Sequence, residues 1–187
     1  MAYVSDHYRR SSDPSAPMLS NDTYRLKLQQ TTASIRAWSG FVADVARVEV
    51  AEEANSWRLA LTPFAAGACP IELVLDGSSP NCDLRIGRET YEDWPMPSLD
   101  DVLPLVEAVC DGRVVTRQVS SAATGLPLTV STRIKLANGR TFVLPEGADS
   151  AFGNGGVESR DTHYLPYRKP TGLDKIGRDQ SIIRSQA

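Results

Sequence analysis

The sequence predicts an α+β fold: a two-layer domain in which two helices pack on a mostly antiparallel sheet of about six or seven strands, in the order α-β4-α-β3. Short segments with an apolar residue at every second position indicate strands that bury one face. Two other segments carry apolar residues three and four apart, which is typical of amphipathic helices. A chain of 187 residues can also bury the core of a single domain without disulfides.

The first helix is predicted from Thr23 to about Val45. Ile35, Trp38 and the apolar residues after them recur at near-helical intervals in this range. Gly40 counts against a regular helix interior, since glycine costs about 1 kcal/mol relative to alanine there. The ends of this helix are therefore less defined than its middle.

Four strands are predicted between the helices and three after the second helix. The apolar period becomes two in VEVAEE, WRLALTPF, IELVLD and CDLRIG, and again in RVVTRQVSS, LTVSTRIKL and RTFVLPEG. The connectors EEANS and DGSSPN are short and polar, as hairpins require. Asn138-Gly139 predicts a further hairpin with a type I′ turn, in which both central residues take a positive φ.

The second helix is predicted in SLDDVLPLVEAVCDG. Ser98 is a good N-cap, and Asp101 three residues later resembles a capping box. Gly112 stands where a left-handed residue ends many helices. Pro104 removes a backbone donor, so we expect either a kink or a first turn of 3₁₀ type.

The acidic stretch ETYEDWPMPSLDD, residues 89–101, is the segment that most resembles a functional site. Its candidate groups are Glu89, Glu92, Asp93 and Trp94. The stretch lacks the alternating Asp/Asn ligands and the glycine of a calcium loop, and its prolines separate the two acidic halves. We interpret it as a loop leading into the helix cap. A weak Mg²⁺ or Ca²⁺ site and a partner-binding loop remain alternatives.

No catalytic set, metal site or cofactor is predicted. His7 and His163 both fall in predicted tails, away from a scaffold that could fix a general base. The sequence has no G-x-S-x-G motif. The glycine-rich run at 153–156 lacks the G-K-[ST] ending of a phosphate loop. An enzyme is therefore the less favoured class of function.

The cysteines and the apolar runs bear on the compartment. Cys69, Cys82 and Cys110 form no C-x-x-C pair and lie in or beside apolar runs, so we interpret them as small core residues. This usage is typical of a reducing cytoplasm. No run approaches the ~18 apolar residues of a membrane span, and no signal peptide is evident. A soluble, cytoplasmic protein without membrane contact is expected.

The domain is predicted over residues 23–147, between a flexible arm at 1–22 and a flexible tail at 148–187 with a possible docking segment at 163–170. Residues 29–156 carry ten Lys/Arg against sixteen Asp/Glu, which makes nucleic acid an unlikely partner of the core but leaves it possible for the tails. Tyrosine and arginine are enriched where protein partners dock. The predicted partner-binding residues are Tyr8, Arg9, Arg10, His163, Tyr164, Tyr167, Arg168 and Lys169.

The sequence thus favours a non-catalytic protein-interaction or assembly module that acts through its tails and sheet surface, with another protein or a second copy as partner. The alternative is a small-ligand binder or enzyme with an acidic cleft around residues 89–101. A nucleic-acid-associated accessory protein is the weaker third hypothesis.

Overall fold

A computed structural model describes residues 21–145 and 156–169. The described residues form two α-helices and two antiparallel sheets. In chain order the elements are α1 (Asn21–Ser39), β1 (Ala46–Glu52), β2 (Ser56–Pro63), β3 (Ile71–Asp76), β4 (Asn81–Ile86), β5 (Glu89–Pro95), α2 (Val102–Cys110), β6 (Val114–Ser121), β7 (Pro127–Lys135), β8 (Thr141–Leu144) and β9 (Val157–His163).

Helix α1 ends earlier than the apolar pattern predicts. The α-helix stops at Ser39, and Gly40–Val42 form a single 3₁₀ turn. Glycine in a helix interior carries a large entropic cost, which explains why the regular helix ends beside Gly40. Ile35 is fully buried, so the middle of the predicted helix does face the core.

Strands β1 to β5 form a meander in which each strand pairs with the next. The alternation predicted from the sequence is visible in the burial of β3, where Ile71, Leu73 and Leu75 are buried and the residues between them are half-exposed. The four predicted strands of this region are confirmed. A fifth strand, β5, continues the sheet where the sequence predicted a loop.

Helix α2 is preceded by a 3₁₀ turn at Leu99–Asp101, which confirms the second of the two outcomes expected from Pro104. The Ser98 hydroxyl caps this turn by accepting a hydrogen bond from the amide of Asp100. Gly112 follows the helix with φ of +71°, the left-handed conformation predicted for it. Most side chains of α2 are buried, so the helix lies inside the domain.

Strands β6 to β9 form the second sheet, in the order β8-β7-β6-β9. The hairpin between β7 and β8 contains Asn138-Gly139 as predicted, but only Gly139 has a positive φ, so the turn is not of type I′. The Asn138 side chain instead accepts a 3.0 Å hydrogen bond from the amide of Arg140. An Asx interaction of this kind stabilises turns without a left-handed asparagine.

The core joins both sheets and both helices in one hydrophobic cluster. Between the sheets, the Tyr91 hydroxyl donates a 2.8 Å hydrogen bond to Thr132, and the ring of Trp94 meets that of Phe142 edge-to-face at 5.5 Å. The α+β class is confirmed. The prediction of a single sheet is wrong, since the strands form two sheets. The predicted order α-β4-α-β3 lacks β5 and β9, because these strands carry no apolar alternation that the sequence could show.

The predicted domain boundary at residue 147 also needs correction. Residues 157–163 form β9, which pairs with β6 along its full length. Residues 164–169, which we call the strap, continue from β9 across the core. The described part of the predicted tail therefore belongs to the folded domain. Residues 1–20, 146–155 and 170–187, which include most of both predicted tails, lie outside the described residues.

Candidate interaction surface

The acidic stretch is divided between a strand and a helix cap. Glu89 is half-buried opposite Ile86, while Glu92 and Asp93 are exposed at a bulge in β5. Trp94 points to the core, where it contacts Phe142. The loop prediction is wrong for residues 89–95, because backbone pairing with β4 holds them extended.

The cap half of the stretch is held by ion pairs with distant residues. Asp100 pairs with Lys27 of α1 at 2.6 Å. Asp101 is buried and accepts a 2.6 Å hydrogen bond from Arg140 of the β7–β8 hairpin. These carboxylates therefore tie the start of α2 to both neighbouring elements, in addition to their favourable position near the helix N-terminus.

An acidic notch of about 590 Å³ lies at one end of the meander, with Asp76, Asp83 and Asp93 in its lining. Each carboxylate already accepts a hydrogen bond within the protein. Asp83 accepts from the amide of Asp93 at 2.9 Å, and Asp93 from the side-chain amide of Asn81 at 2.6 Å. Asp76 accepts from the Ser78 amide at 2.7 Å. These contacts stabilise turns and the bulge.

The notch does not bring ligands together as a metal centre does. Among the described residues, no three His, Cys, Asp or Glu side chains are grouped closely enough to hold an ion. Asp93 has a φ of +51°, a conformation that aspartate tolerates in turns and bulges. The carboxylates of the notch are thus engaged in local structure, and their geometry favours no particular chemistry.

The strap accounts for part of the predicted docking segment. The Tyr167 hydroxyl donates a 2.6 Å hydrogen bond to the carbonyl of Cys69, and its amide donates one of 2.7 Å to the carbonyl of Cys110. Lys169 pairs with Asp44 at 3.0 Å. Tyr164 and Tyr167 are half-buried against the core, whereas His163 and Arg168 are exposed. The predicted residues Tyr8, Arg9 and Arg10 lie outside the described residues.

Three glycines with positive φ form the seat of the strap. A Cβ on Gly112 would lie 2.6 Å from the nitrogen of Pro166, and one on Gly87 would clash with the Tyr164 hydroxyl. A Cβ on Gly67 would lie 3.3 Å from the side chain of Leu165. At Gly112 the backbone of the strap lies so close that any larger residue would push it away. Tyr164 and Tyr167 contact residues of their own domain.

All three thiols of the chain are buried. Cys69, Cys82 and Cys110 are each free and buried, as the sequence predicted. Burial raises the pKa of each thiol to about 12. A thiol with such a pKa remains protonated near neutral pH, so it is a poor nucleophile.

The most unusual surface is the distal half of the second sheet. We call residues 118–130 and 156–161 the distal arm. None of them is buried, and none belongs to the hydrophobic core cluster. At the base of the same strands, Val114 and Ile134 are fully buried. The sheet therefore extends beyond the core as an arm with solvent on both faces.

Three apolar side chains are exposed near the tip of the distal arm. Leu126 is 64% exposed, Leu128 47% and Val157 38%. The carbonyl of Leu126 accepts a 2.9 Å hydrogen bond from the amide of Ser121. Val157 lies on the other side of Ser121, as its partner in the β6–β9 register. Single exposed leucines are ordinary on a protein surface, whereas several exposed apolar residues in one region are a feature of interaction sites.

An ion pair fixes the base of the distal arm. Arg117 donates two hydrogen bonds to Asp161, at 2.7 and 2.8 Å. These bonds hold the pKa of the Asp161 carboxyl below its ordinary value. Bidentate pairs of this kind fix geometry as well as charge. The arm is therefore a defined structural element at its point of attachment.

Sequence reasoning did not find the distal arm. Strands with both faces in water need no apolar alternation, so VESRDTH resembles a coil in sequence. The available signal was the pair Leu126 and Leu128, which stand where the polar segment SAATGLP meets the strand LTVSTRIKL, beside a strand pattern that loses its period after Val119.

Comparisons of the chain with protein-family models, with curated proteins and with solved structures found no match. Neither described helix is both long and apolar enough to span a bilayer. The function has to be inferred from the surface itself.

Proposed function

We propose that this protein is a non-catalytic interaction or assembly module whose distal arm inserts into or against a protein partner. The observation that carries the proposal is the tip of the distal arm, where Leu126, Leu128 and Val157 are exposed in the part of the sheet that buries neither face. Burying these side chains in a complex would remove them from water, which contributes a favourable free energy of roughly 25 cal/mol per Å² of apolar surface buried.

The charges of the distal arm also suit a protein partner. Arg117 at its base is paired with Asp161, and the arm itself carries Glu158 and Arg160. A surface without net charge offers little to a phosphate backbone, which is bound by concentrated positive charge. Polar groups around an apolar centre are instead the usual anatomy of a protein–protein interface.

The test is the capture of partners from an extract of the source cell by immobilised full-length protein. The double substitution Leu126→Ser and Leu128→Ser removes the two leucines of the tip without touching the core. The matched control is Leu26→Ser, which changes a leucine that is 56% exposed on α1. We expect a stoichiometric partner with wild type and control that is lost with the tip variant. Equal capture by all three would refute a role for the tip.

The predicted tails need a separate test with a truncated chain. The truncation must leave the strap in place. A deletion from residue 148 would remove β9 and the strap together with the tail. The informative chain spans residues 21–169, which keeps every described element. Loss of a partner from this chain, with the distal arm intact, would assign that partner to the tails and to residues such as Tyr8, Arg9 and Arg10.

A further inference from the structure

Strand β9 leaves one complete edge of the second sheet open. Among the described residues, β6 pairs with one side of β9, and no strand pairs with the other. The Tyr164 amide donates to the carbonyl of Val114 at one end, and the Ala122 amide donates to the carbonyl of Gly156 at the other. Bonded and non-bonded residue pairs alternate along an antiparallel ladder. Even-numbered residues of β9 therefore bond β6.

The odd-numbered residues of β9 turn their backbone groups to the free edge. These residues are Val157, Ser159, Asp161 and His163. Each offers an N–H and a C=O to a strand that arrives from outside. Such an edge is a template for pairing with another chain.

The two charged residues Glu158 and Arg160 make this edge different from the others. Both are exposed, and neither forms an ion pair with another described residue. On the edge strand β1, by contrast, Arg47 and Glu49 already pair with each other at 2.8 Å. The edge at β8 is only four residues long, and the edge at β5 is interrupted by a bulge.

We infer that two copies of this chain join their β9 strands antiparallel, about a twofold axis through Ser159. In this arrangement Ser159 pairs with the second copy's Ser159, and Val157 with the second copy's Asp161. Glu158 then lies directly opposite the second copy's Arg160, and the symmetry repeats this ion pair. The two four-stranded sheets become one continuous sheet across the axis.

Charge selects this register over its competitors. The backbone groups at the free edge belong to odd-numbered residues, so an odd-numbered residue must pair with an odd-numbered residue of the second copy. In a symmetric pairing of this kind the twofold axis passes through a residue of β9 and not between two residues. An axis through Arg160 would place two arginines directly opposite each other, and one through Asp161 would do the same with two aspartates. Like charges in these positions are destabilising, whereas opposite charges contribute favourably. Axes nearer either end of β9 leave only a short paired segment.

This inference rests on the function proposed above and names a second copy as one partner of the distal arm. The twofold contact is isologous, so it closes after two copies and does not propagate into a filament. Of the three tip residues, Val157 lies on β9 within the new pairing, whereas Leu126 and Leu128 lie on the far side of the arm, on β7 and its turn. They remain accessible to a different protein.

The first experiment measures the dimerisation Kd of the full chain by sedimentation. We expect Glu158→Arg or Arg160→Glu alone to weaken dimerisation by about tenfold or more, because each turns two attractive pairs into repulsive ones. The double variant Glu158→Arg with Arg160→Glu should regain the wild-type Kd. The matched control is Glu92→Arg on the edge strand β5, which reverses an exposed charge that forms no ion pair with the residues described.

The second experiment locates the axis by crosslinking. In the proposed dimer the two Cα atoms at residue 159 lie about 5.5 Å apart, within disulfide range. Ser159→Cys should therefore form a disulfide-linked dimer under mild oxidation. Val157→Cys is the control, since its two copies lie four residues apart along the strands, or about 13 Å, and should not crosslink.

The outcomes separate this dimer from the proposed function. The proposed dimer would be overturned if the wild-type chain were monomeric at about 100 µM. It would also be overturned if the dimerisation Kd were the same in wild type and in both single charge-reversal variants. Neither result bears on partner capture through Leu126 and Leu128. Failure of the tip variant to lose a partner would refute that function while leaving the β9 dimer standing.

Discussion

The hydroxyl of Tyr167 donates a 2.6 Å hydrogen bond to the backbone carbonyl of Cys69, a residue 98 positions earlier in the chain. This bond connects the strap to the loop between β2 and β3. Its burial raises the pKa of the Tyr167 phenol, so the phenol stays a hydrogen-bond donor at any physiological pH. The last described residues of the chain thereby hold the first sheet in contact with α2.

We expect Tyr167→Phe to lower the free energy of unfolding by about 1 kcal/mol, because it removes this bond and leaves the Cys69 carbonyl without its donor. Tyr167→Ala should cost about 2–4 kcal/mol, since it also empties a packed site. Urea unfolding of both variants measures the difference. If Tyr167→Phe proved as stable as wild type, the bond would be absent in solution.

The fit between the strap and its glycine seat predicts the effect of Gly112→Ala. The new methyl would meet the backbone of Leu165 and Pro166 at 2.8 and 2.6 Å, so the strap must move. Gly125→Ala is a matched control, because Gly125 has φ of +69° and no atom within 4 Å of its Cβ position. Both variants bear a conformational cost of roughly 1–2 kcal/mol. Thermal or urea unfolding should show an additional loss of about 1–3 kcal/mol for Gly112→Ala alone.

The ion pair between Asp101 and Arg140 should matter more than an exposed pair. The Asp101 side chain is 8% exposed and that of Arg140 53%. Removing the arginine leaves a buried carboxylate without its counter-ion, so Arg140→Ala should cost about 1–3 kcal/mol of unfolding free energy. The control is Arg36→Ala, in an exposed pair with Glu52, where less than about 0.5 kcal/mol is expected. Equal effects in urea titrations would contradict the difference in burial.

Acid should loosen the attachment of β9. Hydrogen bonds from Arg117 lower the pKa of Asp161 below 3.8. A carboxyl group with a lowered folded-state pKa stabilises the protein above its unfolded pKa, and this contribution disappears as the pH falls through the folded pKa. Between about pH 5 and pH 3 the melting temperature should therefore fall more steeply for wild type than for Asp161→Asn. Parallel pH profiles, measured by circular dichroism, would show that the pair contributes nothing.

The buried thiols should be inert in the native protein. Since the pKa of Cys69, Cys82 and Cys110 is raised to about 12, almost no thiolate is present at pH 8. An aromatic disulfide reagent should react with none of them until denaturant is added, and then with all three. Rapid labelling of a native thiol would show that the core opens there.

The sequence by itself determined the elements that bury one face. Ile71, Leu73 and Leu75 repeat at the spacing of a strand with one face in the core, and seven of the strands carry such a pattern. The sequence also predicted three features that depend on backbone geometry within a few residues. These are the cap at Ser98, the 3₁₀ turn before Pro104 and the left-handed conformation of Gly112.

Only the tertiary structure decided the rest of the fold and the candidate surface. Strand β9 forms because the edge of β6 supplies hydrogen-bond partners to its backbone, although none of its side chains is buried. Backbone pairing of this kind leaves no periodic pattern of apolar residues in the sequence. Tyr164 and Tyr167 resembled docking residues in the sequence, but in the fold Tyr164 lies against Gly87 and Tyr167 bonds the carbonyl of Cys69, both far away in the chain. The exposure of Leu126 and Leu128 likewise depends on how far the sheet extends beyond the core. Local preference sets a residue's conformation, whereas contacts between distant segments decide which surface it faces.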